Sequence, residues 1–491
     1  MIDTRAPAER AFLVGLDQPR ARFEAEDSLN ELASLVEAAG AVVAGRTIQQ
    51  RRAPDPHTWV GKGKAAELAT EAARVAADII VTDDELTPTQ QRGLEAVANR
   101  RVVDRSAVIL DIFARHARTK EGRIQVEVAQ LQYQMPRLRG IWKGLSRQGG
   151  GVGTRGPGES LLETDRRVIE QRLIDLRAKL SEVQKQRERS RRARGTEGLF
   201  LGAFVGYTNV GKSTLLNALV GSDVLVADQP FATLDPTTRR MPTHGGGAIL
   251  LSDTVGFVNK LPPTLVAAFR ATLEELEDAD LLIHVADVAH PNLHERLVVV
   301  RETLRSLELA DRPSLLVFNK SDVLRGEEGA ALREALGAEF PAAIFTSATT
   351  GEGLDALRTR LAETSAARFK HVKVVVPYSD GALVQRVRER GQLRAADYSE
   401  RGIEIDADVP PDLAKELTAR RLARSAPRKP DQLRPTMIGS AGSLPHSSQL
   451  PSYVRTSSCP SAVRTMCVNA ARTPAWQYVT VDVSGPKPAF V

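Results

Sequence analysis

The string Gly206-Tyr-Thr-Asn-Val-Gly211-Lys212-Ser213 follows the apolar run Phe200–Val205 and opens the helical stretch Ser213-Thr-Leu-Leu-Asn-Ala-Leu219. A buried strand, a glycine-bearing loop and a helix in that order define a phosphate-binding loop and demand a parallel α/β sheet around it. The backbone N–H groups of Gly206, Tyr207, Thr208, Asn209, Val210 and Gly211 would wrap the phosphates, helped by the field at the helix N-terminus. Lys212 would reach the β- and γ-phosphates, and Ser213 Oγ would ligate a Mg2+ ion. The loop alone does not choose between adenine and guanine.

Four further motifs follow in order within about 140 residues: Thr233, Asp253-Thr254-Val255-Gly256, Asn319-Lys320-Ser321-Asp322 and Thr346-Ser347-Ala348. Asp253 ends the apolar run Ala248–Ser252, where a carboxylate holds the metal directly or through water. Gly256 lets its own N–H approach the γ-phosphate because no side chain intervenes. Loss of that phosphate would release Gly256 and Thr233 together, which is the physics of a two-state switch. The Asp322 carboxylate can accept from guanine N1–H and the 2-amino group. Adenine offers neither donor, so it would leave a buried acceptor unpaired. Asn319 can bond N7 and tie its loop to the phosphate loop, the Lys320 stem can cover the ring, and the Ala348 N–H can address O6, with Ser347 and Thr349 counted beside it as GTP-binding.

The remaining sequence divides by pattern. Residues 10–114 alternate apolar runs at Ala11–Leu16, Ala41–Ala44, Asp78–Thr82 and Arg101–Val103 with helical patterns at Phe23–Ala39, Lys64–Ala77 and Thr87–Ala98, as in a small parallel α/β subdomain. Residues 115–195 carry two apolar stripes, Ile124, Val128, Leu131 and Met135, then Ile169, Leu173, Leu176, Leu180 and Val183. Their alternating spacing suits an antiparallel helical hairpin packed on itself. Between the stripes, Gly140 to Gly158 is glycine-rich and carries Lys143, Arg147 and Arg155, with Arg139 just before it. Residues 199–364 hold the nucleotide motifs, 366–410 a small C-terminal α/β domain, and 425–491 a Ser/Pro/Thr/Arg tail that reads as disordered. The fold class is thus multidomain α/β.

Charge is concentrated. Residues 115–194 hold 20 Lys/Arg against 9 Asp/Glu, although the whole chain carries only +6. A basic segment on a more acidic body suggests a polyanionic partner, with a solvated helical face as the plain alternative. The two cysteines, Cys459 and Cys467, give no disulfide framework or cysteine metal site. Nothing approaches 18 consecutive apolar residues, so a cytoplasmic protein without stable membrane insertion is expected.

The chain resembles the HflX family of ribosome-associated GTPases from about residue 10 to 410. The resemblance rests on Trp59-Val-Gly-Lys-Gly-Lys64, Asp84-Glu-Leu-Thr-Pro-Thr-Gln-Gln91, Val128-Ala-Gln-Leu131, Pro136-Arg-Leu-Arg-Gly140, Gly153-Thr-Arg-Gly-Pro-Gly-Glu159, Glu163-Thr-Asp-Arg-Arg167 and Phe231-Ala-Thr-Leu-Asp-Pro-Thr-Thr-Arg239. Ser160-Leu161 departs from the family's usual Thr-Gln. The resemblance implies a GTPase that binds the large ribosomal subunit and its ribosomal RNA and splits stalled or idle ribosomes under stress. It implies a monomer, with peripheral membrane association as a further location. By the resemblance, Thr233 joins Ser213 as a protein ligand of Mg2+, while Phe231, Ala232, Thr233, Leu234 and Asp235 line the nucleotide. Lys212, Thr233 and Gly256 would then be catalytic. Position 257 is Phe, which cannot orient a water, so slow intrinsic turnover is expected. Two alternatives compete: a signalling GTPase with a protein effector and no RNA contact, and an RNA-remodelling protein with an ATP site at Gly61-Lys-Gly-Lys64. The latter string is too short for a phosphate loop.

Overall fold

The computed structural model describes residues 8–138, 166–183, 185, 200–222, 229–243, 248–262 and 276–420. The glycine-rich segment 140–158 and the 425–491 tail lie outside the described residues. Among those described, no helix is long and apolar enough to cross a membrane.

The first sheet is parallel, in the order β2 (Val42–Gln50), β1 (Arg10–Asp17), β3 (Ile79–Thr82), β4 (Arg101–Asp104). Alternation along β1 explains its two coverings, because successive side chains leave opposite faces. Ala11 and Leu13 pack with Leu29, Leu32 and Leu35 of α1 (Ala25–Ala38) and with Ile109 and Phe113 of α4 (Arg105–His116). Phe12, Val14 and Leu16 pack with Leu68 of α2 (Lys62–Arg74) and Leu94 of α3 (Pro88–Ala98). Helix α3 starts as its sequence dictates. Thr87 Oγ1 accepts the Gln90 N–H, Gln90 Oε1 accepts the Thr87 N–H, and Pro88 takes the first helical position. Helix α4 is an element the sequence pattern did not isolate. Asp104 caps it by accepting the Ala107 N–H at 2.9 Å.

Helix α5 (Lys120–Gln134) has two working faces. Val126 and Ala129 join the core of the first sheet, whereas Ile124 and Val128 meet Leu173 and Leu176 of the helical residues 166–183, labelled α6. Leu131, Met135, Ile169 and Leu180 flank that seam, and Glu127 pairs with Arg172 at 2.8 Å. Each buried leucine contributes about 1.5–3 kcal/mol, so the stripe is spent on holding the two helices together.

The second sheet runs β10 (Ile344–Phe345), β9 (Ser314–Asn319), β8 (Leu281–Asp287), β5 (Phe200–Gly206), β7 (Ala248–Asp253), β6 (Thr237–Pro242). All pairings are parallel except β6 with β7. The central position of β5 delivers the phosphate loop to the carboxyl edge of the sheet, where open α/β sheets bind ligands. The third sheet is antiparallel, β11 (Lys370–Val376), β13 (Gly402–Val409), β12 (Gln392–Ser399). One face buries Val372, Val374, Ile403 and Ile405 beneath two helices, Gly381–Arg390 and Pro411–Ala419. The second helix adds Leu413 and Leu417 to this core and lies past the boundary at 410 expected from sequence.

Candidate nucleotide site and its ties to the first sheet

The phosphate loop is bound to its neighbours by one carboxamide. Asn319 Nδ2 donates to Val210 O at 2.8 Å, and Asn319 Oδ1 accepts the Ala348 N–H at 3.2 Å. Gly211 sits at φ +87°, and a Cβ there would stand 2.5 Å from Asn319 Nδ2. Only glycine permits both that backbone and that approach. Lys212 is buried, its Nζ donating to Tyr207 O at 2.9 Å and Gly206 O at 3.3 Å. Burial lowers its pKa to about 8, and the Asp253 carboxylate pulls the other way.

Three oxygens from a helix start, a loop and a strand end converge beside it. Ser213 Oγ lies 2.5 Å from Asp253 Oδ2 and 2.9 Å from Thr233 Oγ1. Among the described residues Asp253 Oδ1 is buried without a hydrogen-bond partner. Burial raises the Asp253 pKa against the opposing pull of Lys212, Ser213 and Thr233. A buried carboxylate with a free oxygen, next to two hydroxyls, is a donor set for a hard divalent cation that keeps part of its water shell. Among the described residues there is no group of three or more His, Cys, Asp or Glu placed to hold a metal ion by themselves.

These side chains border a cleft of about 220 Å³ lined by Thr208, Lys212, Ser213, Thr233, Gly256 and Lys320, among others. Gln229 and Thr214 also line it, and sequence reasoning missed both. At one end of it Lys320 adopts φ +65° and pairs with Asp287 at 2.7 Å. Asp322 is half-buried, and its carboxylate makes no hydrogen bond among the described residues. Three other residues expected at the base spend their groups on loop structure. Ser321 Oγ donates to Glu352 at 2.7 Å and its N–H to Thr346 O at 3.0 Å. Ser347 and Thr349 share a hydroxyl–hydroxyl hydrogen bond of 2.9 Å.

The segment 231–235 divides between two tasks. Phe231, Ala232 and Thr233 border the cleft. Phe231 is also buried at φ +58°, its ring edge-on to Phe113. Leu234 belongs with Leu29, Leu32 and Val126 in the core of the first sheet, and so do Val255 and Val258. Asp235 accepts the Arg118 and Thr119 N–H groups, each at 2.9 Å. Of the segment Phe231 to Asp235 expected to line the nucleotide, the first three residues border the cleft, while the side chains of Leu234 and Asp235 are turned to the first sheet and to the start of α5. The apolar side chain follows the larger core, and the carboxylate follows the free N–H groups ahead of α5.

Gly256 and Phe257 lie against the phosphate loop. Phe257 N–H donates to Gly206 O at 3.0 Å, and Thr208 N–H donates to Phe257 O at 2.8 Å. A Cβ on Gly256 would stand 2.9 Å from both Lys212 Nζ and the Thr208 Cα. The Phe257 ring is buried in the core of the second sheet. Thr254 Oγ1 anchors the same stretch by donating to Phe204 O at 2.6 Å. At the other string considered for nucleotide, Lys64 is taken up by Glu67 and Glu71, each at 3.2 Å.

A mainly parallel sheet that presents a lysine-bearing phosphate loop from a central strand, with two further segments closing on the loop's serine, is the architecture of the P-loop GTPases. The comparisons with known proteins narrow this class. Family models described as GTP-binding GTPase N-terminal, GTP-binding GTPase Middle Region and 50S ribosome-binding GTPase match residues 26–114, 116–194 and 202–320. GTPase HflX of Lacrimispora saccharolytica is 44% identical over 417 residues, covering 85% of this chain and 97% of that protein. GTPase HflX of Escherichia coli (strain K12) is 41% identical over 386 residues, covering 79% and 90%. Among solved structures, a complex of SsGBP with GDP is similar over 73% of this chain and 99% of that one, at 24% identity and a TM-score of 0.43. The chain belongs to the HflX family of GTPases.

Proposed function

We propose that this GTPase uses the cleft at Lys212 as its GTP site and couples its occupancy to binding of the large ribosomal subunit. The Ser213–Thr233–Asp253 convergence is the observation that carries the reading. Ser213 and Thr233 would hold Mg2+, with Asp253 bonded to the serine or to the metal's water. The ion would supply charge neutralisation along the β- and γ-phosphates. Gly206, Tyr207, Thr208, Asn209, Val210 and Gly211 would wrap the phosphates. Lys212 would meet the β- and γ-oxygens, whose charge would restore its full protonation. Asp322 would read guanine, assisted by Asn319, Lys320 and the loop of Ser347, Ala348 and Thr349.

With the γ-phosphate bound, Thr233 and the Gly256 N–H would be drawn to it. The packing of Leu234, Val255 and Val258 into the first sheet means that both segments move against that sheet, or carry it with them. Phe257 is buried and brings no group to orient water, which supports slow intrinsic hydrolysis. An ordering partner would supply the missing positioning, a contribution that can be large by itself.

The family model for residues 202–320 is described as a 50S ribosome-binding GTPase, and this supports the large subunit as that partner. The basic segment 115–194, which includes the glycine-rich stretch 140–158, would follow the phosphates of ribosomal RNA. Splitting of stalled or idle ribosomes under stress, by a cytoplasmic monomer, completes the reading. The test is single-turnover GTP hydrolysis with and without purified large subunits. Acceleration by the subunit supports the proposal, and equal rates remove it.

A further inference from the structure

The phosphate loop carries a tyrosine at its second position, and the orientation of that side chain is unusually determined. Tyr207 is 2% exposed, and the Arg296 guanidinium lies 4.4 Å above its ring centroid. Its hydroxyl accepts the Asn259 N–H at 2.7 Å. The Glu31 carboxylate of α1 lines the same cavity as Tyr207 and is the acceptor open to the hydroxyl's proton, since Glu31 Oε1 is buried and has no hydrogen-bond partner among the described residues. Burial and this carboxylate both push the phenol's pKa up, so the hydroxyl stays protonated as a donor.

Glu31 is itself fixed by Arg105, which is 1% exposed and bonds both Glu31 and, at 2.7 Å, Asp83. Asp83 also accepts Ser28 Oγ at 2.6 Å and pairs with Lys260 at 2.5 Å; Asp84 pairs with the same lysine at 2.6 Å. Lys260 adopts φ +55°. Two consecutive residues, Asn259 and Lys260, are thus held from the first sheet's side through one buried arginine. One is held by its backbone and the other by its side chain. They lie three and four positions after Gly256, whose N–H faces the γ-phosphate in the reading above.

We infer that Tyr207 is a positioning residue for GTP hydrolysis: oriented by Glu31, its hydroxyl fixes the Asn259 N–H and thereby the Gly256–Phe257 backbone against the phosphate loop. The hydroxyl does not touch the reacting atoms. It acts by removing freedom from a segment that brings no side chain to orient water. Backbone placement is then what remains to carry the rate, and displacement on the order of 1 Å is costly. Glu31 and Arg105 extend the same role into the first sheet. This inference rests on the reading of the cleft as the GTP site.

The experiment uses the full chain with Tyr207→Phe, Glu31→Gln and Glu31→Leu. Single-turnover hydrolysis of GTP is measured beside the affinities for GDP and a non-hydrolysable GTP analogue. Tyr207→Phe keeps the buried ring and loses only the hydroxyl. Its hydrolysis step is expected to fall about tenfold while GDP affinity stays within about twofold. Glu31→Gln keeps an acceptor for the hydroxyl and should retain most of the rate, whereas Glu31→Leu should match Tyr207→Phe. A Tyr207→Phe rate within about twofold of the unsubstituted chain overturns the inference. So does a parallel fall in rate and GDP affinity, which marks a merely structural role. Failure of the unsubstituted chain to bind either nucleotide removes the GTP-site reading and this inference with it, and the separate affinity measurement tells that failure from the others.

Discussion

The rings of Phe113 and Phe231 meet edge to face, centroids 4.7 Å apart and planes at 72°. The pair joins helix α4 of the first sheet's layer to the segment that borders the nucleotide cleft. Phe231 holds this place at φ +58°, an uncommon backbone for a bulky residue that its burial sustains. Truncating a well-packed aromatic costs about 3–5 kcal/mol. Phe113→Ala and Phe231→Ala should each lower the urea midpoint substantially, and the double variant should lose less than the sum, because both remove the same contact. Strict additivity would show that the rings do not interact.

Asp253 predicts a metal dependence. Chelation of divalent cations should abolish hydrolysis, with activity returning on addition of Mg2+. Ser213→Ala should raise the Mg2+ concentration needed for half-maximal rate by about tenfold or more, since it removes one of the two protein ligands proposed. The readout is hydrolysis rate against free Mg2+; an unshifted titration would exclude Ser213 from the metal.

In the proposed site, base choice rests on Asp322. Asp322→Asn replaces a double acceptor by a group with its own donor, so GTP affinity should fall about 100-fold or more. Xanthosine triphosphate, which offers a carbonyl at C2, should gain over GTP in the same variant. Calorimetric titration of both nucleotides checks this, and an Asn variant that keeps its GTP preference would contradict the assignment.

His284 on β8 makes a prediction about acid stability. Burial lowers its pKa to about 3 from 6.5, with Arg301 and Lys212 adding to the effect. The unfolded chain takes up this proton near pH 6.5 and the folded chain only near 3, so unfolding binds a proton between those values. The stabilising contribution is intact above about pH 6.5 and declines as pH falls toward 3. Urea midpoints between pH 7 and 4.5 should therefore drop less steeply in His284→Leu than in the parent chain. Equal slopes would show that His284 titrates normally.

The legibility of the chain follows the range of the interactions involved. The strand–loop–helix at 200–220, the capped start of α3 at Thr87 and the apolar stripes of α5 and α6 are local patterns, and each has a local cause in burial or capping. The carboxyl-edge loops at Asp253 and Asn319 could be placed because each follows an apolar strand. Helix α4 escaped notice because it begins directly after β4 with no turn residue between them, Asp104 ending one element and capping the next. The ties from Tyr207 to Glu31 and from Lys260 to Asp83 link residues more than 170 positions apart, and no periodicity records them. The same holds for the packing of Leu234 and the hydrogen bonds of Asp235, which tie these residues to the first sheet's side without a local signal.

Nucleotide-dependent association with the large ribosomal subunit tests the whole account. Purified large subunits would be sedimented with the full chain and a non-hydrolysable GTP analogue, GDP, or no nucleotide, across a range of salt concentrations. The account predicts strong co-sedimentation with the analogue, weak association with GDP, and binding that weakens steadily as salt rises, as phosphate contacts require. Association that is equal with the analogue and with GDP, or absent in both, would contradict it.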